Sequence, residues 1–308
     1  MPQKPIEFIA VDWGTTNARA YALDGGGTVL DRRETSLGIR NVADGRFAEA
    51  FETLVGCWRT PGPVPVLMSG MIGSRQGWVE TAYLDCPADP VAVAQGLGAV
   101  PGQQNVAIVP GVCLPAGSAH RDVMRGEEVQ CFGALEMSGA GDAVICLPGT
   151  HSKWVDMSGG ALVRFATSMT GEAFSAMRDH SILGALMPAT TSPSWEAGSS
   201  FATGVERSGD TGGLLHHLFS VRADGLFDVV PADGLADYLS GILIGHEVRE
   251  MARMFEPDGA VLVVGGGSLT ARYASAFEML GLSMQAVDAE RATIAGLTAI
   301  RRLAADPA

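Results

Sequence analysis

The chain has 308 residues, 47% of them hydrophobic, enough to bury the cores of two modest domains. Its 34 acidic residues outnumber 21 basic ones, and the net charge of -13 excludes the basic footprint of a nucleic-acid binder and disfavours docking on anionic membranes. Met1 to Pro5 carries no basic-then-apolar leader, and Gly, Pro or charge interrupts every apolar segment before it reaches spanning length, so a soluble, cytoplasmic protein is expected.

The cysteines Cys57, Cys86, Cys113, Cys131 and Cys146 are scattered, odd in number and form no C-x-x-C pair, so neither a disulfide framework nor a zinc site is suggested and reduced, mostly buried thiols are expected. The run His246-Glu247-Val248-Arg249-Glu250 begins like a zinc-protease helix but lacks the second histidine. His216-His217 is expected in a solvated loop or at a helix end.

Ile6 to Trp13 reads as a buried strand ending in Gly14-Thr15-Thr16-Asn17, followed by strands Ala18 to Leu23 and Thr28 to Glu34 around the turn Asp24-Gly25-Gly26-Gly27. The first glycine turn therefore opens an antiparallel meander and not a helix, which excludes a P-loop or Rossmann unit. Pro61 to Pro65 breaks the chain before a strand at Val66 to Ser69 and the loop Gly70 to Trp78. Gly96 to Gly102 reads as a loop, Asn105 to Val109 as a strand and Gly126 to Met137 as a helix. Ala143 to Leu147 is a strand broken at Pro148-Gly149-Thr150-His151-Ser152 and resumed from Lys153 to Met157. Leu235 to Phe255 has helical periodicity, with Gly241 and Gly245 open to a neighbouring backbone. Val261 to Val264 is a buried strand running into Gly265-Gly266-Gly267-Ser268, ahead of a helix at Ala271 to Leu280.

Asp12 at the end of a buried strand, beside Gly14, Thr15, Thr16 and Asn17, has the composition of a phosphate cradle with a carboxylate able to hold magnesium through water. The same residues also suit an ordinary hairpin turn. Gly149, Thr150 and Ser152 offer a second cradle, and Gly265, Gly266, Gly267 and Ser268 a bare backbone surface for adenine or ribose. Three such turns in this order resemble the phosphate-one, phosphate-two and adenosine motifs of the superfamily of actin, sugar kinases and heat-shock chaperones. That resemblance implies an α/β fold of two ribonuclease-H-like lobes, with mixed five-stranded sheets flanked by helices and a nucleotide cleft between them. The lobes are expected at 1-136 and 137-308, with the last helix, around Ala295 to Ile300, packing back towards the first lobe.

More specifically, Asp12 to Arg19, Ser69 to Ser74, Arg125 to Gln130, Gly149 to Trp154 and Met169 to Glu172 resemble the 2-dehydro-3-deoxygalactonokinase family. The resemblance implies a carbohydrate kinase using ATP and Mg2+ to phosphorylate the terminal hydroxyl of a small sugar acid. Glu127 stands where related kinases carry an aspartate base, Glu128 competes for that role, and both also suit a helix N-terminus. Arg75, flanked by Ser74 and Gln76, is the first candidate to hold the acceptor carboxylate, against an equal reading as a surface partner of Glu80; Arg19, Arg40 and Arg125 follow. Lys153 suits either a phosphate or solvent. A kinase for another sugar acid or ketose, and a non-catalytic nucleotide-dependent regulator, remain open readings, and a homodimer is expected only at the base rate.

Overall fold

A computed structural model describes residues 4-60, 62-188, 196 and 198-305. Met1 to Gln3 of the N-terminal segment and Pro61 of the proline break lie outside the described residues. In chain order the first elements are β1 (Phe8–Trp13), β2 (Ala18–Leu23), β3 (Val29–Thr35), α1 (Phe47–Arg59), β4 (Val66–Ser69), β5 (Tyr83–Asp85), α2 (Pro90–Gln95), β6 (Gly98–Ala99), β7 (Val106–Ile108), β8 (Gly111–Cys113), β9 (Val123–Met124) and α3 (Glu127–Ser138). There follow β10 (Ala143–Leu147), β11 (Ser152–Ser158), β12 (Ala161–Ser168), α4 (Thr170–His180), α5 (Ser200–Arg207), α6 (Gly213–Leu226), α7 (Leu235–Phe255), β13 (Val261–Gly265), α8 (Gly267–Met279), β14 (Met284–Asp288) and α9 (Ala289–Ala305).

The chain forms two compact units: Met1–Asp142 with Met157–Phe165 and Ala289–Ala308, and Ala143–Asp156 with Ala166–Asp288. In the first, the sheet order is β3-β2-β1-β4-β7-β6, with β1 antiparallel to β2 and parallel to β4. This sheet has six strands where five were expected, because the stretch read as a loop at Gly96 to Gly102 pairs Gly98 and Ala99 with Ile108 and Ala107. β1 is buried along almost its whole length, as a central strand covered on both faces must be. β3, at the edge, is largely exposed and carries Asp31, Arg32, Arg33 and Glu34, charges that discourage edge-to-edge pairing. α1 lays Phe47, Phe51, Leu54, Val55 and Trp58 into the core formed with Ile9, Val11 and Met68. A small sheet, β5-β8-β9, also belongs to this unit.

α3 and α9 cross at two glycines. A Cβ on Gly133 would lie 1.8 Å from the Ala292 carbonyl oxygen, and one on Gly296 would lie 2.0 Å from that of Val129. Gln130 donates to Thr293 Oγ1 across the same contact at 3.2 Å.

The sheet β12-β11-β10-β13-β14, in which β10, β13 and β14 are parallel, belongs to the second unit except for the end of β11 and the first part of β12, which fall in Met157–Phe165. α5 packs on α7 through Gly204 and Gly241, where added Cβ atoms would fall 2.3 Å from Tyr238 O and 2.1 Å from Phe201 O. Gly267 and Ser268 open α8 and do not belong to a free loop, because the helix begins as soon as β13 ends. His217 corrects a further expectation: it lies inside α6, fully buried. Its ring is satisfied there, with Nε2 on the Thr211 carbonyl at 3.2 Å and Nδ1 facing His246 Nε2 at 2.9 Å. Among the described residues no helix is long and apolar enough to cross a membrane.

Candidate active site

β1 carries Asp12 to its carboxyl end, in register with Ser69 of β4. Immediately after, Gly14 N–H donates to Asn17 O at 2.9 Å and closes the first glycine turn. The segment behind it fixes the turn: Ile39, Arg40 and Gly38 N–H donate to the carbonyls of Gly14, Thr15 and Thr16 at 3.0, 3.1 and 3.0 Å. Gly38 has to be glycine, since a Cβ would sit 2.2 Å from the Thr16 carbonyl carbon. With those carbonyls engaged from behind, the turn presents its remaining amides and the Thr15 and Thr16 hydroxyls, a donor-rich surface suited to an anion.

Gly70 follows β4 at φ 92°, and a Cβ there would lie 2.8 Å from Trp13 O and 3.4 Å from Asp12 Oδ1. Gly126, at φ 109°, comes so close that its own Cβ would be 3.0 Å from Gly70 Cα. Two backbones stripped of side chains thus bring the start of α3 against the end of β1. Burial raises the Asp12 carboxyl above its usual range; the Arg19 guanidinium opposes this and the Glu127 charge adds to it. Asp12 is half-buried, and among the described residues no side chain or amide donates a hydrogen bond to its carboxylate.

α3 begins with two carboxylates in unlike surroundings. Glu127 is partly exposed, and its Oε2 accepts from Arg125 N–H at 3.0 Å. Glu128 is fully buried with both oxygens on Gly126 N–H, and burial, followed by the Glu127 charge, pushes its carboxyl up to about 8. Arg125 is buried: its guanidinium lies over the Tyr83 ring at 4.3 Å, donates to Thr81 O at 2.8 Å and also bonds Thr81 Oγ1. It therefore ties the segment before β5 to the start of α3. Arg19 is paired with Glu34 at 2.9 Å. Arg75 stands 88% exposed, with a 3.4 Å contact to Glu80, in the loop that leaves Gly70 together with Ser74 and Gln76.

The second unit builds its own turn from Gly149 to Ser152. Gly171 packs beneath it, where a Cβ would fall 2.5 Å from Gly149 O, and Glu172 N–H donates to Thr150 O at 3.0 Å. His151 pairs with Glu172 beside it. Ser152 faces inward and is fully buried: its Oγ sits 3.3 Å from Gly149 N and 3.0 Å from Tyr273 Oη. Its hydroxyl therefore shapes the turn and is not available to a phosphate, which leaves the exposed Thr150. Tyr273 in turn donates to Glu247 Oε2 at 2.7 Å, Trp154 Nε1 donates to Oε1 at 2.9 Å, and the Thr170 hydroxyl is a third donor. Lys153 is also buried, with Nζ 2.6 Å from Thr167 Oγ1, which settles it away from open solvent.

Beside this turn is a cavity of about 460 Å³. Its walls include Gly149, Thr150, Phe174, Leu243, Leu269 and Arg272. Predominantly apolar walls with a few polar groups suit a flat heteroaromatic ring. The buried Glu247 and Tyr273 carry no local sequence signal of this role, being separate members of helices whose apolar spacing is unremarkable.

The family model for 2-keto-3-deoxy-galactonokinase matches residues 12-300. The 2-dehydro-3-deoxygalactonokinase of Escherichia coli (strain K12) is 36% identical over 97% of this chain and 99% of its own length. A crystal structure from Sinorhizobium meliloti, provisionally described as the same kind of kinase, superposes with a TM-score of 0.90 at 36% identity, covering 98% of this chain and 100% of that one. Component A of (R)-2-hydroxyglutaryl-CoA dehydratase from Acidaminococcus fermentans shares the fold alone, at 12% identity and a TM-score of 0.53 over 97% and 99% of the two chains. The fold is that of the actin-like ATPases and sugar kinases, and the class is carbohydrate kinase. Within it, the chain belongs to the 2-keto-3-deoxy-galactonokinase family.

Proposed function

We propose that this chain transfers the γ-phosphate of ATP to the terminal hydroxyl of 2-dehydro-3-deoxy-D-galactonate, giving the 6-phosphate and ADP, in the cytoplasmic breakdown of galactonate. The observation that carries the reading is that Asp12 and Glu127 lie close enough for the Glu127 charge to act on Asp12, where the Gly70 and Gly126 backbones meet. Family membership and the likeness to the Escherichia coli kinase support the acceptor.

Glu127 is the proposed general base. As the acceptor oxygen forms its bond to the γ-phosphorus and the bond to the ADP oxygen breaks, the hydroxyl proton passes to the Glu127 carboxylate. Asp12, half-buried and without a protein donor among the described residues, fits magnesium held through water, and the ion would offset the charge of the transferring phosphoryl group. The Gly14 to Asn17 turn of the first unit and, taken by itself, the Gly149-Thr150 turn of the second each offer a phosphate backbone amides and threonine hydroxyls. The cavity walled by Phe174, Leu243 and Leu269 takes the base, next to Gly265 to Ser268. Arg75, exposed in a loop that begins beside Asp12, pairs with the acceptor carboxylate as a planar fork.

A coupled ADP-release assay over 2-dehydro-3-deoxygalactonate, its gluconate epimer, parent aldonates and neutral sugars tests the reading. Saturable turnover with the galactonate compound supports it. Turnover only with another acceptor overturns the substrate, and nucleotide binding with no acceptor-dependent turnover overturns the kinase.

A further inference from the structure

α6 is apolar on two opposite sides. His217 and Val221 point inward and are fully buried, and Gly225 lies against Leu235, which a Cβ would approach to 2.9 Å. At about 100° per residue, Leu215, Phe219, Arg222 and Leu226 form a stripe on the other side. Leu215 is 86% exposed, Phe219 61% and Leu226 54%, and the chain continues directly into Phe227 at 81% and Val229 at 69%. A helix with apolar residues on two opposite sides is normally covered on both.

With about 200 Å² of full surface per large apolar residue, these five leave on the order of 700 Å² exposed, above the few hundred Å² usual for a patch on a monomer. It comes close to the roughly 800 Å² each partner contributes to a standard interface. The stripe is also self-complementary. If a second α6 packs antiparallel about a two-fold axis between Phe219 and Arg222, position 215 meets 226 and position 219 meets 222. Leucine then faces leucine, and the one charged member of the stripe meets an aromatic face instead of its own copy. On a chain of net charge -13, the helical stripe itself carries no acidic side chain, which lowers the repulsion between two like-charged copies along it.

We propose that α6 is the face through which two copies of this chain pair, as an antiparallel α6 to α6 contact extended by Phe227 and Val229. Sedimentation of the full chain across micromolar concentrations should give a dimer, and Phe219→Asp should weaken self-association by about 30-fold or more while circular dichroism stays unchanged. In a Cys57→Ser background, which removes the exposed native thiol, a mixture of Leu215→Cys and Leu226→Cys chains should form an intermolecular disulfide on mild oxidation. Neither variant alone should do so. The cross-link decides the question if Phe219→Asp fails to fold. A monomeric wild type would overturn the proposal and leave the face to a different protein. A dimer indifferent to Phe219→Asp, or one with no cross-link in the mixture, would place the contact elsewhere.

Discussion

Glu128 turns its carboxylate back onto Gly126, with both oxygens 2.9 and 2.7 Å from the same amide nitrogen, so the start of α3 is capped from within its own first turn. Its neighbour Glu127 remains partly exposed and acts on the charge of Asp12. The folded-state value of Glu128, about 8, lies above that of an unfolded chain. The native state therefore holds an extra proton between the two values. That stabilisation is complete below the ordinary glutamate range and is lost as pH rises through about 8, with a span on the order of a few kcal/mol. Glu128→Gln keeps an acceptor for Gly126 and removes the titration. Thermal unfolding followed from mildly acidic to alkaline pH should fall for the wild type and stay flatter for the variant.

His246 gives a dependence of the opposite sign. Burial, and next the charge of His217, hold its pKa below the ordinary histidine value. The unfolded state then binds more protons in the window between the depressed value and 6.5. Stability is complete above that window and declines as pH falls through it. His246→Gln retains a donor for His217 Nδ1, so urea midpoints should fall less between neutral and mildly acidic pH in the variant than in the wild type.

Glu247 collects Trp154, Tyr273 and Thr170 in the interior of the second unit. Glu247→Ala strands two buried donors, Trp154 and Tyr273, and the half-buried Thr170, and should cost about 3 kcal/mol or more in chemical denaturation. Gly171→Ala acts on the same region differently, because its new Cβ meets Gly149 O and Thr150 Cα. Its expected signature is a raised KM for ATP with a smaller change in the acceptor KM.

Arg75 tests acceptor binding. Arg75→Ala removes one charged hydrogen-bonding fork and should raise the acceptor KM by about tenfold, with the nucleotide KM unchanged. An acceptor KM equal to that of the wild type would reduce Arg75 to its surface contact with Glu80.

The strand ends at Asp12 and Ser69 were legible because buried runs of β-forming residues stop abruptly at glycine or threonine. The helix from Leu235 to Phe255 was legible in its apolar spacing. Gly98 and Ala99 were not, since a two-residue strand exists only because β7 offers an edge. His217 was misread for a related reason: nothing adjacent in sequence announces His246 as its partner. The inward turn of Ser152 and the buried Glu247 depend on Tyr273, 121 and 26 residues away respectively, and such contacts appear in no local pattern. For Arg125 likewise, nothing near it in the chain announces the Thr81 and Tyr83 contacts that occupy it.

The central claim is that Glu127, and not Glu128, takes the acceptor proton. The direct measurement is kcat on 2-dehydro-3-deoxygalactonate for Glu127→Gln and Glu128→Gln, with magnesium ATP saturating. The account predicts a loss of about 1,000-fold for the first and less than about tenfold for the second, with both variants folded and binding nucleotide. The reverse order, or equal activity in Glu127→Gln and the wild type, would contradict it.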